Sequence, residues 1–127
     1  MELLALVTLL ILVEYFVFMG LVGYARGLTG VKAPAVSGDP QFERYLRVQQ
    51  NTVEQLVWFL PSMWLFAHYV HMLTAVGLGV IFFIGRLIYA VTYYKDAEKR
   101  SLGFVMGWLA SIVALLGALI GVLLKIF

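Results

Sequence analysis

The sequence contains no cysteine among its 127 residues. Disulfide frameworks and thiolate metal sites are therefore excluded, and any thiol chemistry must use a thiol that a ligand brings. Charge is also scarce, since charged residues make up 13% of the chain, against about 25% in soluble domains. The hydrophobic content of 63% exceeds what one small soluble core can hide. The lipid bilayer is the expected solvent of this chain.

Four long apolar runs, separated by short polar segments, indicate four membrane-spanning helices. A helix needs about 20 apolar residues to cross ~30 Å of hydrocarbon, and lipid favours helices because unpaired backbone groups are costly there. The runs cover residues 3–24, 52–71, 72–94 and 102–126. We expect an all-α membrane protein, a four-transmembrane-helix bundle whose single domain covers residues 1–127. Its helices should cover about residues 3–26, 40–70, 72–95 and 101–126.

The basic residues gather at one side of the expected membrane. The first and third connections share a side in a four-helix topology, and seven of the nine basic residues fall there: Arg26, Lys32, Arg44, Arg47, Lys95, Lys99 and Arg100. The positive-inside rule makes this side cytoplasmic and puts both termini on the opposite face. We therefore expect a multi-pass integral membrane protein.

Two polar stripes lie where the second and third helices approach that side. The second helix is expected to begin near Pro40, because proline is favoured in a first turn. Its stripe, with spacings of three, four and three that share one helical face, is Arg44, Arg47, Asn51 and Glu54. The stripe of the third helix is Arg86, Tyr89, Tyr93 and, further on, Arg100. Ionisable groups are expensive in a membrane, so these stripes are candidate functional residues.

Arginines with one carboxylate nearby suit a particular kind of ligand. The guanidinium fork binds carboxylates in a bidentate way and does not deprotonate. Glutathione matches the stripes, because it has two carboxylates, one ammonium and a thiol. An arginine beside that thiol would stabilise the thiolate, which is the nucleophilic form.

Other polar residues have simpler interpretations. Basic residues that flank membrane helices commonly set topology and contact lipid phosphates, which suffices for the loop lysines. Tyr89 and Tyr93 alone could form an interfacial aromatic belt. Arg86 and Glu14 are expected to form a structural ion pair between helices, since buried charges usually find partners. The far-side histidines have no cysteine or carboxylate near them in sequence, so no metal site is expected there.

The second-helix stripe resembles a known signature. It consists of Glu43–Arg44, then Arg47, Asn51 and Glu54, within the segment Phe42 to Glu54. This pattern is similar to that of the superfamily of membrane-associated proteins in eicosanoid and glutathione metabolism (MAPEG). The third-helix pattern and the upstream Arg26 resemble the leukotriene C synthase branch. The resemblance covers the whole chain and identifies it as a member of the microsomal glutathione transferase and leukotriene C synthase group.

The resemblance implies a homotrimer that binds glutathione, the co-substrate, between neighbouring subunits at the cytoplasmic membrane boundary. It implies that Glu54 takes the ammonium, that the arginines take the carboxylates, and that Arg100 is the catalytic residue that stabilises the thiolate. The implied glutathione-binding residues are Arg26, Arg47, Gln49, Asn51, Glu54, Tyr89 and Tyr93. No metal is implied.

Two departures from the eicosanoid branch favour a general transferase or peroxidase over leukotriene synthesis. Gln55 stands where that branch has a tyrosine, and Gly27 stands where it has a second arginine. The expected function is glutathione transfer to hydrophobic electrophiles, with peroxidase activity on lipid hydroperoxides as an extension. The compact chain and tight loops favour a bacterial inner-membrane protein with a cytoplasmic-side site. Membrane lipid and further copies of the chain are the expected partners, and no nucleic acid is.

Two alternatives remain open from the residues alone. One is a non-catalytic lipid-binding member of the same superfamily, which the intact set of arginines and tyrosines disfavours. The other is a small multidrug transporter, a class with four helices and a glutamate in the first, where Glu14 lies. Replacing Glu14 would abolish proton-coupled efflux in a transporter but would leave glutathione conjugation largely intact in an enzyme.

Overall fold

The computed structural model describes all residues, 1–127, and consists of helices joined by short connections. The long helices are α1 (Glu2–Thr29), α2 (Pro40–Tyr69), α3 (Met72–Lys95) and α4 (Ser101–Ile126). A short 3-10 helix, Ala97–Arg100, precedes α4. No strand is present. The prediction of an all-α bundle of four long helices is confirmed.

Three helical segments are long and apolar enough to cross a membrane by length and composition: α1, α3, and Ala97–Ile126, which contains α4. α2 does not meet that measure, although its 30 residues correspond to about 45 Å of helix. Its N-terminal half carries the polar stripe, and its second half, from Thr52 onward, still includes Glu54, Gln55 and His68 among its apolar residues. α2 packs against all three other helices along the bundle.

The start of α2 is defined by a side-chain cap. Asp39 is the N-cap residue, and its carboxylate accepts hydrogen bonds from the backbone N–H groups of Gln41 at 2.8 Å and Phe42 at 3.1 Å. Pro40 occupies the first helical position, where its missing N–H costs nothing. The cap explains why α2 begins well before its apolar run. The arginine-bearing turns are therefore held in a regular helix.

α3 and α4 approach each other through glycines. A Cβ atom at Gly103 of α4 would collide with the backbone of Tyr89 on α3, and one at Gly85 would lie 2.9 Å from the backbone nitrogen of Gly107. Only residues without side chains allow the two backbones to pass so closely, as is common between membrane helices. This contact brings the first turn of α4 beside Tyr89.

The main core fills the rest of the bundle with apolar side chains. Phe59 of α2 and Phe82 of α3 stack with ring centroids 4.1 Å apart and planes 3° apart. The side chains that point outward are mostly large and apolar, as expected of a surface that faces lipid. The core thus holds α2 and α3 in register below the polar stripes.

Candidate functional site

Four helix ends meet at the basic side of the bundle: the last turns of α1 and α3 and the first turns of α2 and α4. Arg44 of α2 donates a hydrogen bond from Nε to the carbonyl oxygen of Tyr94 on α3, at 3.1 Å. The rings of Tyr45 and Tyr94 stack at a centroid distance of 4.1 Å. These contacts tie the start of α2 to the end of α3. The two polar stripes therefore face each other at a fixed spacing.

A pocket of about 640 Å³ opens between α2, α3 and the start of α4. Its lining residues are Arg47, Asn51, Tyr89, Tyr93, Arg100, Ser101, Phe104 and Val105. The first five belong to the two polar stripes that were predicted from helical spacing. Arg47 and Asn51 lie one turn apart on α2, as Tyr89 and Tyr93 do on α3, while Arg100 ends the 3-10 helix. The structure thus brings three separate segments together around one concave surface.

The two charged residues in the pocket lining are both arginines. No carboxylate offsets Arg47 or Arg100 there, so the pocket favours an anionic ligand. The side-chain oxygen of Asn51 is buried and has no hydrogen-bond partner in the chain. A buried acceptor without a partner is rare in proteins, and here it offers a contact to a ligand that can donate a hydrogen bond. The site can therefore bind a molecule that has both anionic and donor groups.

The third wall of the pocket was not predicted. Ser101, Phe104 and Val105 come from the first turns of α4. The Phe104 ring lies 6.5 Å from that of Tyr89, and the Tyr89 ring lies 5.3 Å from that of Tyr93. Phe104 and Val105 give the pocket an apolar side. The available signal was proximity in sequence to Arg100, because apolar residues in a spanning helix otherwise look alike.

Three of the predicted residues lie outside this pocket. Arg26 is folded back onto its own loop, with Nη1 donating to the Ala35 carbonyl at 2.8 Å and the guanidinium 4.6 Å above the Phe42 ring. Gln49 donates from Nε2 to the Tyr15 hydroxyl at 2.7 Å. Glu54 is exposed on α2, beyond the pocket. Within one chain, none of the three lines the space beside Arg47.

The chain matches the model of the MAPEG family over residues 4–120. This chain belongs to the MAPEG family. The resemblance drawn from the second-helix signature is confirmed. The alternative that the chain is a small multidrug transporter, which is a different family, is excluded. The MAPEG assignment covers nearly every residue of the four helices.

Individual relatives support the MAPEG assignment. The chain is 48% identical over 119 residues to a protein of Synechocystis sp. named only as uncharacterized. The aligned region covers 94% of this chain and 87% of the relative. It is 38% identical over 118 residues to microsomal glutathione S-transferase 2 of Homo sapiens, spanning 92% of this chain and 80% of that protein. It is 34% identical over 99 residues to leukotriene C4 synthase of Rattus norvegicus, spanning 77% of this chain and 65% of that protein.

A buried arginine lies behind the pocket of this MAPEG chain. Arg86 is only 1% exposed, and its Nη2 donates to the hydroxyl of Thr52 at 2.8 Å. The predicted ion pair with Glu14 is wrong: the two side chains make no salt bridge within 4.0 Å. Both carboxylate oxygens of Glu14, though buried, lack a hydrogen-bond partner in the chain. The physical reason is that the guanidinium turns toward Thr52 and the Tyr89 ring instead.

Proposed function

We propose that this chain is a membrane-bound glutathione transferase. It activates the glutathione thiol for attack on hydrophobic electrophiles, and by extension on lipid hydroperoxides, that are dissolved in the bilayer. The observation that carries the proposal is the single pocket in which two arginines, an asparagine and two tyrosines from three segments converge. The names of the human and rat relatives, a glutathione S-transferase and a leukotriene synthase, support the same chemistry.

The pocket suits glutathione in size and in charge. Its volume of about 640 Å³ lies within the range of small-molecule sites, roughly 300–1,000 Å³. Arg47 can take one carboxylate through its fork, and Asn51 and the two tyrosine hydroxyls offer further hydrogen bonds. Glu54 follows Asn51 by one turn of α2 and is the carboxylate available for the ligand's ammonium group.

Arg100 is the proposed catalytic residue. A free thiol with a pKa of about 8.5 is only a few per cent ionised at neutral pH, so a cation beside the sulfur has a large effect on the thiolate population. Arg100 ends the 3-10 helix, where Nη1 donates to the Ala97 carbonyl at 2.7 Å. Its other guanidinium N–H groups remain free to face the sulfur. The thiol proton is released to water, the thiolate forms the new sulfur–carbon bond, and the electrophile's leaving group departs with the electron pair of the bond that breaks.

The complete site is proposed to need a second copy of the chain. Gln49 follows Arg47 by two residues, about 200° around the helix, so it faces the opposite side of α2. There Gln49 contacts Tyr15 of α1, and Arg26, at the end of α1, packs over Phe42 of α2. In a homotrimer, both could serve the pocket of a neighbouring copy. We propose this assembly, with glutathione bound between subunits.

The proposed location is a bacterial inner membrane, with the pocket on the cytoplasmic side. The excess of basic residues at the pocket end of the bundle supports that orientation under the positive-inside rule. The Synechocystis relative supports a bacterial setting.

The test is the ultraviolet absorbance of the glutathione thiolate on adding glutathione to detergent-purified protein near neutral pH. The wild type should show the thiolate band, and Arg100→Ala should lose it while still binding glutathione in calorimetry. Lys99→Ala is the matched control, because it removes an adjacent exposed cation that does not line the pocket. No band and no heat of binding in the wild type would refute the enzyme assignment. The non-catalytic, lipid-binding alternative would then replace it.

A further inference from the structure

Arg86 does not line the pocket, yet it lies directly behind it. It precedes Tyr89 by three residues on α3, so it sits one turn deeper in the bundle on the same helical face. Its guanidinium carbon is 4.2 Å from the centroid of the Tyr89 ring, within the range of a cation–π contact. One face of the Tyr89 ring thus meets the guanidinium, while the tyrosine also lines the pocket.

The second contact of Arg86 reaches the other wall of the pocket. The Thr52 hydroxyl, which accepts from Arg86 at 2.8 Å, itself donates to the carbonyl oxygen of Val48 at 2.7 Å. Thr52 is the chain neighbour of Asn51, whose side chain lines the pocket. One guanidinium therefore connects the α2 wall with the α3 wall. Of the two residues that it contacts, Tyr89 lines the pocket itself, and Thr52 adjoins the lining residue Asn51.

The charge of Arg86 is not neutralised by contact. Its Nε has no hydrogen-bond partner, and no carboxylate lies within salt-bridge distance. Arginine keeps its charge in proteins, and a charge in a low-dielectric interior acts over a long distance. The ionisable groups around this spot are Glu14 on α1, Arg47 on α2, Tyr89 and Tyr93 on α3, and Arg100 on the 3-10 helix. Arg86 thus adds to the positive charge that Arg47 and Arg100 supply.

We propose that Arg86 is a positioning residue for glutathione activation, given the proposed function. It holds the Tyr89 ring against the pocket, and it places a buried positive charge behind the thiolate. It does not touch the ligand, and it acts through Tyr89 and through its field. A purely structural role would change how much folded protein binds glutathione. The proposed role changes how acidic the bound thiol is.

The experiment is a pH titration of the thiolate absorbance of bound glutathione. Arg86→Met removes the charge but keeps an apolar stem, and Arg86→Lys keeps a cation. For a charge on the order of 10 Å from the sulfur and an effective dielectric of about 20, loss of the charge raises the thiol pKa by about one unit. Arg86→Lys should keep most of the wild-type thiol pKa. A thiol pKa in Arg86→Met equal to that of the wild type would overturn the inference.

Two further variants keep the test decisive if Arg86→Met does not fold. Thr52→Val removes only the acceptor that anchors the guanidinium, so it should shift the thiol pKa in the same direction by a smaller amount, whereas Thr52→Ser should not shift it. Glu14→Gln removes the neighbouring acid and should leave the thiol pKa unchanged or lower it. A rise in Glu14→Gln as large as that in Thr52→Val would show a general packing effect and overturn the inference. A wild type without any thiolate band would instead refute the proposed function.

Discussion

Replacing Gly103 with alanine should push the first turn of α4 away from α3. A Cβ atom there would collide with the backbone nitrogen of Tyr89 and lie 2.6 Å from the carbonyl oxygen of Gly85. Backbone atoms cannot rotate aside as a flexible side chain can, so the helices must separate. The separation would occur between Tyr89 and Phe104, which form two walls of the pocket.

The size of the effect follows from two opposing contributions. Alanine in place of glycine stabilises a helix interior by roughly 0.5–1 kcal/mol, while forcing atoms into a well-packed contact costs about 1–3 kcal/mol. Gly77→Ala is the matched control, because Gly77 also lies within a long helix, α3, and no atom lies within 4 Å of its added Cβ. Gly77→Ala should stabilise the protein slightly, and Gly103→Ala should destabilise it by about 1–2 kcal/mol.

The assay is thermal unfolding in detergent together with calorimetric binding of glutathione. Gly103→Ala should lower the unfolding temperature and weaken glutathione binding. Gly77→Ala should not lower the unfolding temperature and should not weaken glutathione binding. If the Gly103→Ala variant is as stable as the Gly77→Ala variant and binds glutathione with wild-type affinity, this backbone contact does not set the width of the pocket.

Two other substitutions test the elements that position the site. Asp39→Ala removes the N-cap of α2 and should cost about 1 kcal/mol in thermal unfolding, whereas Asp39→Asn, which keeps an acceptor, should cost much less. Equal losses in both would contradict the capping role. Glu54→Gln should raise the KM for glutathione about tenfold or more with little change in kcat, because it removes a charge-assisted bond to the ligand's ammonium made equally in ground and transition states. A fall in kcat at unchanged KM would argue against that role for Glu54.

Much of the site followed from helical spacing alone. Arg47 and Asn51 are four residues apart, as are Tyr89 and Tyr93, so a regular helix must bring each pair to one face. Those four residues do line one pocket. Arg100 lines the same pocket, although it does not lie on the same helix as the tyrosines. Its spacing from Tyr93 predicted a continuation of the third-helix stripe, whereas α3 ends at Lys95 and the 3-10 helix carries Arg100 back to the pocket.

The parts that sequence could not provide depend on side-chain orientation. Glu14 and Arg86 were expected to pair because opposite buried charges attract. The guanidinium contacts only a few neighbours, and in the structure these are Thr52 and the Tyr89 ring. The α4 wall was missed because Phe104 and Val105 have no polar mark in an apolar helix. Helical periodicity fixes which face a residue occupies, and it does not determine which neighbour that residue contacts.

The lining of the pocket joins two kinds of surface at one depth of the bundle. Arg47 and Arg100 form a charged, exposed part, while Val105 belongs to the outward-facing apolar surface of α4 and Phe104 lies between them. A molecule that binds here is in contact with groups suited to water on one side and to hydrocarbon on the other. Under the proposed function, glutathione and an apolar electrophile would meet there without either one leaving its own phase. The rate with the proposed apolar substrate would then depend on its mole fraction in the lipid, not on its concentration in the surrounding water.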